Sequence, residues 1–241
     1  MIGIIAAMQC ELARLCDAAE NTCKERIFDT EYCLGILDGR EVVMAVCGEG
    51  KVNAAACAQT MLLRYAPQAI VVTGVAGSLS PTLHVPDVAI ATATAQHDYD
   101  ISPLGYEKSR ILCGYRDEKT PNGDKETVFF PTLPALREAF AAAAQETGVH
   151  AECGVIATGD QFVASSAVKQ DLHQRLGAIA CEMESGAIAQ VCAMAATPYC
   201  VLRAISDNAD EHAPATFSPE KAAEISVALT RRALALWQGG R

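Results

Sequence analysis

The chain has 241 residues, 51% of them hydrophobic, enough to bury a large core as one generous α/β domain. Its 19 basic and 29 acidic side chains leave a formal charge of -10, with no long basic cluster to follow a phosphate backbone, which argues against a nucleic-acid partner. No apolar run is long enough to span a bilayer, so no membrane association is expected.

From the N-terminus, "MIGIIAAMQCELARL" lacks a basic leader and meets Glu11, so residues 2–7 read as a buried strand of a cytoplasmic protein rather than a signal peptide. A helix is expected over 10–21 and a second strand over 41–47. "CGEGKVNAAA" then leads into a helix over 51–65. It fails the phosphate-loop pattern, with Ala45 at the leading glycine and Val52 for Ser/Thr, and Asn53 replaces the third glycine of a dinucleotide fingerprint. A tight turn into a helix is the first reading there, and substrate contact the second. Further strands are expected over 69–73, 87–95, 152–158, 178–181 and 198–204, and helices over 132–147, 165–175, 184–195 and 218–237. Residues 106–131 are rich in charge, with Asn122-Gly123 as a hairpin tip.

Continuously apolar strands between Ala-rich helices predict a three-layer α/β domain, a central mixed sheet flanked by helices. No linker, repeat or low-complexity run divides it, so residues 1–241 form a single domain. The eleven cysteines contain no CxxC pair and sit among Ala, Val and Ile, as small core residues of a reducing compartment do. Among the histidines, His97 lies beside Asp98 and Asp100, and a solvated loop edge is the favoured reading over a metal ligand.

Polar or glycine-rich stretches recur where strands end: Glu11, Gly48 and Gly50, "TGVAGS" at 73–78, "GDQF" at 159–162, "EMES" at 182–185 and "SDNAD" at 206–210. One convergent pocket is the economical interpretation. Each acid also has a plainer one. Glu182 suits the first turn of a helix, where the dipole favours acids, and Glu11 does the same for helix 10–21. Asp207 can cap a helix or pair with Arg203, and Phe162 can be core. Glu184, one residue beyond Met183, is left as a bidentate acceptor for vicinal hydroxyls.

The motifs "GIIAAMQCELARL", "TGVAGSL", "ATGDQFV", "EMESGAIAQVC" and "LRAISDNAD", in this order and spacing, resemble the nucleoside phosphorylase/nucleosidase superfamily. They are most similar to its 5′-methylthioadenosine/S-adenosylhomocysteine nucleosidase members, over residues 1–237. The resemblance implies a nucleoside phosphorylase/hydrolase-like fold and N-glycosidic bond hydrolysis without metal or organic cofactor. It implies Glu11 as the water-activating acid, Glu184 as acceptor for the ribose diol and Asp207 as the acid at purine N7, oriented by Ser206. Met183 would pack on the ribose, Phe162 stack on the purine, Val163 read its edge and Arg203 lie near the water.

Met8, Val75, Ala76 and Gly77 extend the implied substrate-facing set. At its 5′ end Ile101, Leu104 and Phe217 join Glu49, which stands where relatives usually carry an apolar residue. A homodimer is implied too, a neighbour's loop completing the 5′ pocket. Phosphorolysis is disfavoured because "IVVTGVAGS" lacks arginine and Glu11 would repel phosphate. A purine nucleoside phosphorylase, a nucleosidase for a polar 5′ group and a non-catalytic nucleoside-binding module remain alternatives.

Overall fold

The computed structural model describes residues 1–112 and 126–239. The chain begins with β1 (Ile2–Ala6), α1 (Gln9–Ala18), β2 (Glu20–Ile27), β3 (Thr30–Leu37), β4 (Arg40–Val46), α2 (Lys51–Tyr65), β5 (Ile70–Ser78) and β6 (Val88–Gln96). Three two-residue strands follow, β7 (Ile111–Leu112), β8 (Glu126–Thr127) and β9 (Phe130–Pro131). The rest comprises α3 (Pro134–Thr147), β10 (Ala151–Thr158), α4 (Ser166–Leu176), β11 (Ala178–Glu182), α5 (Ser185–Met194), β12 (Tyr199–Asp207), α6 (Ala213–Thr216) and α7 (Pro219–Leu236).

Strand alternation makes the layers. On β1 and β4, Ile2, Ile4, Val42 and Met44 point into a core shared with α1, α3 and α7. Their neighbours Ile5, Val43 and Ala45 point oppositely, into a core shared with α2 and α5. Burial on both faces removes any polar-out alternation, so these strands read as unbroken apolar runs. The result is the expected mixed α/β architecture, helices flanking a central sheet of order β11-β10-β6-β12-β5-β1-β4-β3-β2.

Closure of that sheet positions the pocket. β1 runs parallel to β4 and β5, and β12 parallel to β5, while β10 runs parallel to β11. β5 and β11 then meet antiparallel at their carboxyl ends, Gly77 opposite Cys181 and Ser78 opposite Ala180. The carboxyl ends of two parallel groups thereby face one another across a single crevice.

Three expectations need correction. The helix expected over 10–21 stops at Ala18, and 20–37 form a hairpin that the pattern missed. β2 is almost wholly exposed and rich in Glu, Lys and Arg, so it carries no apolar period; charge on this edge strand blunts further pairing. "TGVAGS" is no loop but the second half of β5, buried throughout and paired with β12. His97 is buried, its ring packed against Gly159, rather than at a solvated edge. The Asn122-Gly123 hairpin tip lies outside the described residues. Among these, no helix is long and apolar enough to cross a membrane.

Candidate active site

A cavity of about 330 Å³, within the range that suits a small ligand, opens at the crevice and is lined from six strand ends. β1 leads to Met8 and Glu11, β4 to Glu49, β10 to Phe162 and Val163, and β11 to Glu182, Met183 and Glu184. β5 itself contributes Val75, Ala76 and Gly77, and β12 contributes Arg203, Ser206 and Asp207. Phe217, just beyond α6, closes the set, its ring edge-on to that of Phe162 with centroids 5.7 Å apart. Of the residues expected to face substrate, Ile101 and Leu104 alone are elsewhere, flanking or within a single helical turn at Ser102–Leu104, with Leu104 exposed.

Glu11 is 1% exposed and sits in the first turn of α1. Its Oε2 accepts the N–H groups of Ala7 (2.9 Å) and Met8 (2.7 Å), tying down the helix start, so the plain reading is correct as far as it goes. Its Oε1 reaches across to β5 and accepts Val75 N–H at 2.9 Å, which leaves that oxygen a lone pair for one further donor. This contact is possible because residue 74 is glycine: φ is +153°, and a Cβ there would collide with both Glu11 Oε1 and Arg203 Nη1. Burial raises the Glu11 pKa, against the pull of Arg203 and the N–H donors, which makes it a stronger base than a free carboxylate.

Arg203, also 1% exposed, is the only cation lining the cavity among the described residues, and its Nη2 is held by two acids while its buried Nε has no hydrogen-bond partner. Its Nη2 donates to Glu182 Oε2 in a short contact and to Glu184 Oε2 at 3.2 Å. Burial opposes its charge, but Glu182, Glu184 and Glu11 outweigh that and raise its pKa further. Glu182 also accepts Ser185 N–H at 2.9 Å and the Thr158 hydroxyl, so it holds the start of α5 while neutralising the arginine. The helix-start reading of Glu182 foresaw the first role and missed the second.

Glu184 occupies the N-cap position of α5 but its side chain does not cap the helix; its Oε1 instead accepts Gly50 N–H at 3.0 Å from the loop after β4. Gly48 and Gly50 have φ of +85° and +92°, so the glycines of "CGEGK" make a turn that presents a backbone donor to an acid. Burial raises the pKa of Glu184 to about 7, with Arg203 lowering it and Glu182 raising it because the two acids share one cation.

Asp207, 3% exposed, has a different environment. Its register slips against β5, with Ile205 opposite Ala76 and Asp207 opposite Gly77, so Ser206 forms a bulge that turns the acid toward the cavity. Gly77 admits it: a Cβ there would lie 2.9 Å from Asp207 Oδ1. Oδ1 accepts Ala209 N–H at 2.8 Å, and Oδ2 lies 2.9 Å from Ser206 Oγ, which is itself 3.2 Å from Ala76 O. The single Ser206 hydrogen cannot satisfy both acceptors, so when it serves the carbonyl, Asp207 Oδ2 supplies the proton. Burial raises the Asp207 pKa, and the pairing with Arg203 that the sequence left open does not form. Glu11 has a cation and N–H donors on both oxygens, whereas Asp207 has one N–H and a divided hydroxyl. Burial raises both pKa values, so the two acids differ in their hydrogen-bond partners rather than in the direction of their shifts.

The phosphorylase superfamily profile matches residues 1–237. The chain belongs to that superfamily. A relative from Shewanella oneidensis, a 5′-methylthioadenosine/S-adenosylhomocysteine nucleosidase, is 35% identical over 217 residues, covering 90% of this chain and 87% of its own. The nucleosidase of Neisseria meningitidis, solved with methylthio-immucillin-A, superposes with a TM-score of 0.88 at 33% identity over 97% of each chain. Futalosine hydrolase of Helicobacter pylori superposes with a TM-score of 0.87 at 30% identity, over 98% of this chain and 97% of that one. The expected kinship with the nucleosidases is thus borne out, and among the described residues no His/Cys/Asp/Glu group could hold a metal ion.

Proposed function

We propose that this chain is an N-glycosyl hydrolase that cleaves 5′-methylthioadenosine or S-adenosylhomocysteine into adenine and the 5′-thioribose. One observation carries the reading: Glu11, Glu184 and Asp207, from opposite ends of the chain, line the same cavity as Phe162 and Met183. Cleavage of a ribosyl C–N bond passes through an oxocarbenium-like state, positive on the sugar and negative on the departing base. Asp207 donates its proton to purine N7 as the base leaves, a step that typically contributes about 10²–10⁴-fold. Glu184 accepts from the ribose 2′ and 3′ hydroxyls, and these bonds tighten as charge develops. Glu11 takes the proton of a water approaching the anomeric carbon from the face opposite the base. Phe162 stacks on the purine, Val163 reads its edge through the backbone, and Met183 packs on the sugar.

Water is the nucleophile because a phosphate dianion would find only Arg203, already bound by two acids. The working form is a cytoplasmic homodimer. Off-pocket Ile101 and exposed Leu104 support this, as residues suited to a neighbour's 5′ pocket, and buried Cys57, Cys181, Cys192 and Cys200 suit a reducing compartment. The test is to follow adenine release from both nucleosides in phosphate-free buffer. Hydrolysis predicts full turnover and free thioribose; a requirement for phosphate, with ribose 1-phosphate as product, would refute it.

A further inference from the structure

Two carboxylates in the cavity take no part in this chemistry: Glu182, committed to Arg203 and the start of α5, and Glu49. Glu49 lines the cavity yet is exposed, and among the described residues it has no ion pair or side-chain hydrogen-bond partner. Its backbone is fixed: Glu49 O accepts Asn53 Nδ2 at 2.8 Å, and positive φ at Gly48 and Gly50 holds the turn on either side. The next residue, Gly50, donates to Glu184 Oε1. With the ribose diol on Glu184 and the purine on Asp207 and Phe162, the turn that carries Glu49 adjoins the sugar, from which the 5′ substituent extends. Glu49 is thus the charged group at the 5′ end of a bound nucleoside.

We infer that Glu49 is a specificity-determining residue that favours nucleosides bearing an ammonium group on the 5′ carbon over those with neutral or anionic 5′ groups. The inference rests on the nucleosidase reading. A free carboxylate at a cavity mouth attracts a cation and resists a second anion, and it gains nothing from an alkyl tail whose burial would strip its water. An exposed pair of this kind is modest in strength and screened by salt. S-adenosylhomocysteine carries both an amino and a carboxylate group on its tail, so a simpler probe is needed.

The experiment compares kcat/KM for adenine release from 5′-amino-5′-deoxyadenosine and 5′-methylthioadenosine, at low salt and neutral pH, in wild type, Glu49→Gln and Glu49→Lys. The amino-to-methylthio ratio is expected to fall about 3- to 5-fold in Glu49→Gln, further in Glu49→Lys, and the wild-type advantage to shrink in high salt. A ratio unchanged by both substitutions would overturn the inference while leaving the nucleosidase reading intact. Wild type that releases adenine from neither nucleoside would overturn that reading, and the inference with it.

Discussion

Individual side chains in this cavity are set by a few close approaches. At Gly74 a methyl group would strike Glu11 and Arg203 together, so Gly74→Ala is expected to lower both stability, by about 1–3 kcal/mol, and kcat. Thermal melts and adenine release measure the two effects; an unchanged kcat would mean that the Glu11–Val75 contact does not matter to turnover. Glu184→Gln is expected to raise KM and lower kcat together, because an amide accepts less from the diol as charge builds; a change confined to KM would signify uniform binding only. The acids themselves were legible in the sequence, since charge within small, apolar segments asks for a use. The partner of Arg203 was not. Spacing made Asp207 the candidate, and only the fold shows that the end of β11, far away in sequence, supplies Glu182 and Glu184 instead.

At the scale of elements, segments hold one another's ends. Asp160, in the loop after β10, accepts Lys51 N–H at 2.8 Å and so caps α2 from a distance, while Asp98 binds Lys51 Nζ at 2.7 Å and Asp160 N–H at 2.9 Å. This couples the turn beneath Glu184 to the loop that carries Phe162 and Val163. Asp160→Ala is expected to cost about 0.5–2 kcal/mol by loss of the cap, read as a fall in Tm, with KM raised through the loosened loop; a Tm equal to wild type would exclude the capping role. Buried elements such as β1, β12 and α2 announced themselves by apolar runs or helical period. The β2–β3 hairpin did not, for its outer strand is solvated; Asp38-Gly39, with φ of +49° and +81°, is a turn signal at the next corner that the expected elements left unused. β5 extends past its expected end because β12 and β11 pair with glycines that local propensity assigns to turns.

For the whole molecule, a pocket of buried acids has a cost that depends on pH. Glu184 titrates near 4.5 when unfolded and about 7 when folded, mainly through burial, so its neutral form favours the fold. That contribution is complete below about 4.5 and is lost as pH rises through about 7. The Tm of Glu184→Gln relative to wild type should therefore climb across this interval, by about 2–4 °C per kcal/mol; a constant difference would show that folding leaves this carboxyl unperturbed. The convergence of Glu11, Glu184 and Asp207 depends on the antiparallel closure of β5 on β11, which no local pattern announces; polar stretches at strand ends pointed to one pocket beforehand, and motif resemblance gave the three acids their roles. Their shared purpose is tested most directly by kcat for adenine release in Asp207→Asn. A folded variant that still binds nucleoside but turns over about 10²–10⁴-fold more slowly is expected, and retention of most of the wild-type rate would contradict proton donation by Asp207.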